Sequence, residues 1–158
     1  MSPVVADLSK PAPPDDPVTA PFWAAVRQRR LVAPKCQACK LVFLYPRVTC
    51  PRCLAREFQW LDLSGRGRVY SCTVVRQAAH PAFVVDVPYV FAVIELDEGP
   101  RLASNVVGCP PEEVAPDQPV EVLFEDRGDH VVPLFRPTCE GERHVSSRRS
   151  PVAATVGA

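Results

Sequence analysis

Apolar and polar positions alternate along most of this chain from residue 58 onward, and alternation at period two marks half-buried strands. Phe58-Gln-Trp-Leu-Asp-Leu63 is the first such run, closed by Ser64-Gly-Arg-Gly67. Arg68 to Val75 follows, rich in β-branched residues. A proline-bounded loop from His80 to Val87 separates it from Tyr89-Val-Phe-Ala-Val-Ile-Glu-Leu96, the strongest strand of the chain. Asp97-Glu-Gly-Pro100 ends that strand and predicts a hairpin to Arg101–Val107. Cys109 to Pro116 reads as a short helical turn or a loop, and Pro119–Glu125 and His130–Phe135 finish the set. Five or six short strands with turns between them predict a small barrel, with Phe83, Tyr89 and Phe91 expected in its core.

The pattern before residue 58 is different. Residues 2–17 are rich in proline and aspartate and lack the apolar content to pack alone. Pro21-Phe-Trp-Ala-Ala-Val-Arg-Gln-Arg-Arg30 then predicts a short helix with proline in its first turn. Phe22, Trp23, Val26 and Leu31 share its apolar face, while Arg27, Arg29 and Arg30 suit the negative end of the helix dipole or an acidic or phosphate-bearing surface. The expected plan is a Pro-rich leader at 1–20, a helix and cysteine module at 21–60, a barrel at 61–137 and a disordered tail at 138–158.

Two Cys-x-x-Cys pairs, Cys36/Cys39 and Cys50/Cys53, stand ten residues apart in that module. Each short turn can aim two thiolates at one point, and two turns complete a tetrahedron around Zn²⁺. The spacing is shorter than the commonest four-cysteine pattern but leaves room for a hairpin, whose first strand is expected at Leu41-Val-Phe-Leu-Tyr45. The reading is a zinc ribbon with Cys36, Cys39, Cys50 and Cys53 as ligands. Four protein ligands leave no open position, so the metal is structural, and in small zinc peptides such binding supplies on the order of 10 kcal/mol of folding free energy. Iron could occupy the same sulfurs, as in rubredoxin.

Charge and composition narrow the classes. Eighteen basic and eighteen acidic side chains give a formal charge of zero, which argues against a general nucleic-acid binder. No apolar run approaches a membrane span, and Met1-Ser-Pro-Val-Val-Ala-Asp-Leu-Ser9 has neither the basic start nor the apolar core of a signal peptide. Metal-type cysteines fit a reducing compartment, so a cytoplasmic location is expected.

Catalytic motifs are sparse. Gly65-Arg-Gly67 is too short for a phosphate loop and opens a strand. There is no Gly-x-Ser-x-Gly elbow. His80 lacks an evident partner, Asp86 and Glu95 are isolated carboxylates, and Cys72, Cys109 and Cys139 are scattered thiols. Arg47 and Arg52 flank the second cysteine turn and could hold a phosphate or simply be solvated.

The order of motifs resembles a known family. It runs through Pro21-Phe-Trp23, Leu31 before Cys36-x-x-Cys39, Pro46-Arg47 before Cys50-Pro-x-Cys53, and Trp60. It continues through Ser64-Gly-Arg-Gly67-x-Val-Tyr70-Ser-x-Thr73-Val, Pro88-Tyr89, Glu95-Leu-Asp-Glu-Gly-Pro-Arg101, Pro119-Val and Phe135-Arg-Pro137. Over residues 20–137 the chain is similar to the acyl-CoA-associated OB-fold proteins with an N-terminal rubredoxin-like zinc ribbon. It departs from them at Lys40 and Leu54, which follow the cysteine turns where glycine is frequent.

The resemblance implies a mainly β fold: an N-terminal helix, a rubredoxin-like ribbon, then a five- to six-stranded OB-fold barrel. It implies a companion subunit of a thiolase-like acyl-CoA enzyme, of the lipid-transfer-protein type of aldolase that cleaves steroid side-chain acyl-CoA, in a two-plus-two hetero-oligomer. The lyase chemistry would reside in the partner. It further implies a shared CoA thioester, for which Arg27, Arg47 and Arg52 would meet phosphates and Tyr89 the pantetheine. Zinc ribbons and OB barrels also occur in single-stranded nucleic-acid-binding modules, which keeps that class as the alternative.

Overall fold

The computed structural model describes residues 10–138. Its elements in chain order are helix α1 (Ala20–Arg27), strands β1 (Val32–Cys36), β2 (Phe58–Asp62), β3 (Arg66–Val75), β4 (Tyr89–Leu96), β5 (Arg101–Val106), β6 (Pro119–Asp126) and β7 (Val131–Pro137). Single 3-10 turns lie at Pro81–Phe83 and Pro111–Glu113.

Helix α1 begins where Asp16 folds back, its carbonyl accepting the Thr19 and Ala20 N–H groups at 3.1 and 2.8 Å. It is shorter than the sequence predicts. Arg29 turns left-handed at φ 58°, and the N–H groups of Arg29 and Arg30 return to the carbonyls of Val26 and Ala25 at 2.9 and 3.0 Å. That is a Schellman stop made without glycine. Arg29 and Arg30 therefore lie beyond the helix, and they are not free. Arg29 bonds the Phe124 carbonyl at 3.0 Å and the Asp126 carboxylate at 2.6 Å, while Arg30 grips Asp62 at 2.6 and 2.7 Å. These two side chains fasten the helix end to β6 and β2 instead of serving an outside acidic surface.

The first sheet also differs from expectation. Its strands are β1 and β2, antiparallel with Val32 opposite Asp62 and Cys36 opposite Phe58. The segment Leu41–Tyr45 contributes only an isolated bridge between Val42 and Lys35. Pro34 made β1 hard to see in the sequence, yet a two-stranded sheet consists entirely of edges, where a missing N–H is tolerated.

Strands β3 to β7 close into a barrel in the order β3-β4-β5-β7-β6. The long strand β3 serves two neighbours, pairing with β4 over Gly67–Val75 and with β6 over Arg66–Arg68. Glycine makes this possible. A Cβ on Gly67 would run into the Glu95 carbonyl and the Leu96 backbone, and one on Gly65, at φ 73°, would strike Val122. A register shift between Val69 and Ser71 bulges Tyr70 outward, where the Arg101 guanidinium stacks 3.5 Å from its ring centroid. The last seam is thin: β5 and β7 share one parallel pair, Val106 with Phe135.

One core runs through both parts. Phe22, Val26, Leu31, Val32 and Ala33 from the helix and β1 join Val69, Ile94, Leu96, Val120 and Phe135 from the barrel. Within β4 the inward positions are Val90, Ala92, Ile94 and Leu96, so the aromatic side chains expected inside face out, with Phe91 45 % exposed and Tyr89 half-buried. The inward face of β4 thus carries small and branched residues, and the ring buried in the barrel is Phe135 of β7. Residues 10–16 of the leader lie against the barrel, Lys10 pairing with Asp86 at 2.7 Å and sitting over the Phe83 ring. The expected tail at 138–158 and Cys139 lie outside the described residues, apart from Thr138, whose N–H bonds the Pro119 carbonyl at 3.1 Å.

Gly67→Ala is expected to destabilise the barrel by about 1–3 kcal/mol, since the added methyl meets backbone that cannot rotate away. Urea denaturation of the variant beside the parent chain checks this.

Candidate metal centre and neighbouring cavities

The two cysteine turns are built alike. In the first, the Cys36 N–H bonds the Leu41 carbonyl at 2.8 Å and the Lys40 N–H returns to the Cys36 carbonyl at 3.0 Å. In the second, Cys50 bonds Ala55 at 2.8 Å and Leu54 returns to Cys50 at 3.0 Å. The residue after each pair must turn left-handed for this, and Lys40 and Leu54 do so at φ 61° and 62°. That is the physical reason glycine is common there, and this chain holds the same turn with larger side chains.

The turns bring the four sulfurs together, all within 4.8 Å of one another. Cys36 and Cys53 approach to 3.5 Å, as do Cys39 and Cys50. These spacings are far from a disulfide and bracket the edge of about 3.8 Å that a tetrahedron with Zn–S bonds of about 2.3 Å would have. The Arg52 N–H points at Cys50 Sγ from 3.5 Å.

The clustered thiols shift one another's acidities. The Cys39 N–H, against burial and with help from the Cys53 thiol, lowers the Cys36 thiol below its usual value. Burial opposes ionisation of Cys50 most strongly, yet the N–H groups of Cys53 and Arg52 and the neighbouring thiols together bring it down to about 6. The Ala55 N–H favours the Cys53 thiolate, but burial and the three facing sulfurs outweigh it and push that thiol up to about 11. The titration belongs to the cluster, which accepts the first negative charges and resists the last. A divalent cation would remove that resistance, so the four sulfurs fit a thiolate-bound metal such as zinc, whose role is to hold the turns together.

The residues named as possible CoA contacts do not converge. Arg27 lines a cavity of about 350 Å³ beside Asp15, Asp16 and Asp129. Tyr89 lines another of about 430 Å³, with Phe83, Phe91, Asn105, Cys109 and Arg127 on its walls. Arg47 and Arg52 stand exposed on the ribbon and line neither cavity. The Tyr89 cavity itself escaped sequence reasoning because β4, β5 and the β6–β7 turn meet only in the folded barrel; the Pro88-Tyr89 pair was its one local signal. A third cavity, about 420 Å³ and mostly apolar, lies between Trp23, Tyr45 and Pro133.

The isolated candidates for catalysis are occupied elsewhere. His80 Nδ1 accepts the Ala82 N–H at 3.1 Å and caps a turn. Asp86 pairs with Lys10, and Glu95 pairs with Arg101 at 2.9 Å. Cys72 points at the Val114 carbonyl from 3.6 Å, and burial, with the Glu113 charge, raises the Cys109 thiol.

A four-cysteine ribbon followed by a closed five-stranded barrel defines the class: a zinc-ribbon OB-fold protein. Residues 23–59 match the family described as the ChsH2 rubredoxin-like zinc ribbon domain, and residues 60–125 match the ChsH2 C-terminal OB-fold domain. The chain is similar to a chain of the solved structure "Ltp2-ChsH2(DUF35) aldolase", with TM-score 0.73 and 36 % identity, over 80 % of this chain and 98 % of that one. A "DUF35 domain-containing scaffold protein" of Methanocaldococcus jannaschii is 37 % identical, over 74 % of this chain and 86 % of its own length. A "probable enoyl-CoA hydratase alpha subunit" of Thermomonospora curvata is 39 % identical over 77 % of this chain, which spans only 38 % of that subunit. A shorter match, 35 % identical over 47 % of this chain and 23 % of the relative, is to the "3-oxo-4,17-pregnadiene-20-carboxyl-CoA hydratase alpha subunit" of Mycobacterium tuberculosis. The chain belongs to the ChsH2/DUF35 family.

Purified protein is expected to be colourless with one zinc per chain, and Cys50→Ser to lose the metal and melt earlier; elemental analysis and a thermal scan check both. A red protein with iron would contradict the zinc assignment. Protons compete with the metal for sulfur, so zinc affinity is expected to fall as the pH falls.

Proposed function

We propose that this chain is the zinc-ribbon OB-fold companion of a thiolase-like acyl-CoA aldolase, contributing surface and stability while the partner supplies the reacting groups. The observation that carries this reading is the likeness, at 36 % identity, to a chain of the Ltp2-ChsH2(DUF35) aldolase, nearly all of which this chain covers. The commitment of His80 to a turn cap and of Asp86 and Glu95 to ion pairs supports it. The word scaffold in the archaeal relative's description points the same way.

The substrate class in this reading is a CoA thioester, with a steroid side chain as the acyl group. The short match to a pregnadiene-carboxyl-CoA hydratase subunit supports the steroid part. The Tyr89 cavity is assigned to the pantetheine arm: Phe83, Tyr89 and Phe91 give it an aromatic wall, and Lys10, Asp86, Asn105, Glu125 and Arg127 supply its polar groups. The complex is a cytoplasmic hetero-oligomer of two plus two.

Co-expression with a thiolase-like aldolase subunit, then size-exclusion chromatography and an acyl-CoA cleavage assay, tests the reading. Co-elution with activity that the partner lacks alone is expected. Separate elution with unchanged partner activity would sink it, and salt-sensitive retention on single-stranded DNA would turn attention to the nucleic-acid class. Within an active complex, Tyr89→Ala is expected to raise KM for the thioester more than it lowers kcat, leaving zinc content unchanged.

A further inference from the structure

The second cysteine turn carries a leucine that folding alone does not explain. Leu54 is 73 % exposed, and its backbone sits at φ 62°, a conformation that costs an L-residue about 1–2 kcal/mol and glycine almost nothing. Its neighbour across the turn, Val48, is 61 % exposed. A large apolar side chain held outward at a strained position is the kind of outlier from which a contact role is inferred.

The local charge balance points to the same place. On the helix end and the barrel, Arg29, Arg30, Arg76, Arg101, Arg127 and Arg136 each have a carboxylate partner, and Arg27, Arg66 and Arg68 have none among the described residues. Arg47, Arg52 and Arg56 surround the second turn and have no ion pair among the described residues. Glu57 is the sole carboxylate between residues 31 and 61, against Lys35, Lys40 and those three arginines. A divalent metal with four thiolates brings two net negative charges, and the ribbon remains positive after they are included.

We propose that this turn, with Arg47, Val48, Arg52, Leu54 and Arg56, is a docking surface for a carboxylate-rich face of a partner protein. Arginines around a small apolar centre are the composition of protein interfaces. Nucleic acid fits less well: Phe43 and Phe58 of the ribbon are packed edge-to-face on each other at 5.4 Å, and the turn itself, residues 47–56, contains no aromatic ring on which a base could stack. The inference rests on the companion reading for the identity of the partner, the thiolase-like subunit, and commits this turn to one of its acidic faces.

The test measures binding of the full-length, zinc-loaded chain to that subunit. Leu54→Gly removes the side chain while relieving the backbone, so its melting temperature is expected to rise. Combined with Arg52→Glu and Arg56→Glu, it is expected to weaken the complex by roughly tenfold or more with zinc content retained, and added salt to weaken the parent complex in the same direction. Arg76→Glu, on the barrel, is the control and is expected to leave binding unchanged. A parent chain that binds while the triple variant binds equally well would overturn the docking surface and leave the companion reading standing. A parent chain that does not bind the subunit would overturn both. Retention of single-stranded DNA by the parent, lost in the triple variant, would overturn the protein partner in favour of nucleic acid.

Discussion

Four cysteine sulfurs gathered within 4.8 Å of one another cannot all carry charge unless a cation lies among them. The rest of the ribbon is arranged around that constraint. Each turn spends its backbone N–H groups on its own loop and on sulfur, and each accepts a left-handed residue so that the loop can close. Cys36 is also the last residue of β1, so the position of one ligand is the position of the sheet. The sheet in turn shares its buried residues with α1 and the barrel, and Leu63 extends the contact by bonding the Leu31 carbonyl at 2.8 Å. Geometry at the sulfurs therefore reaches the barrel through packed side chains.

The neutral formal charge conceals a division of labour. Most basic side chains on the helix end and barrel are engaged internally, where pairs such as Arg29 with Asp126 join segments far apart in sequence. Such exposed pairs contribute little stability each, and they fix orientation more than they add energy. The ribbon's positive side chains have no carboxylate partner among the described residues. His80, Asp86 and Glu95, which sequence alone offers as acids or bases, are engaged in a turn cap and in pairs with Lys10 and Arg101.

Much of this was legible in the sequence. Two Cys-x-x-Cys pairs can hardly do anything but converge, and β4 announced itself by strict alternation. Alternation did not say which face points inward, because Tyr89, Phe91 and Val93 on one face look as apolar as Val90, Ala92 and Ile94 on the other. Only closure of the barrel decides, and it takes the smaller set. β1 was hidden by Pro34, whose cost vanishes in a sheet made of two edges. The roles of Arg29 and Arg30 were hidden too, since their carboxylate partners stand 97 and 32 residues away. Cavities depend on such long-range meetings as well, and no local pattern encodes them.

Tyr45 lies between the two cysteine turns, and its hydroxyl accepts the Ala103 N–H at 2.9 Å. Ala103 belongs to β5 beside the seam with β7, where one ladder pair, a Val107–Phe135 bond and the Ser104 hydroxyl on the Pro133 carbonyl do the joining. A loop whose shape is set by thiolates thus latches the thinnest join of the barrel. Ligation at sulfur and closure of the barrel become linked equilibria, and linkage is reciprocal: whatever clasps the barrel shut also tightens the hold on the metal.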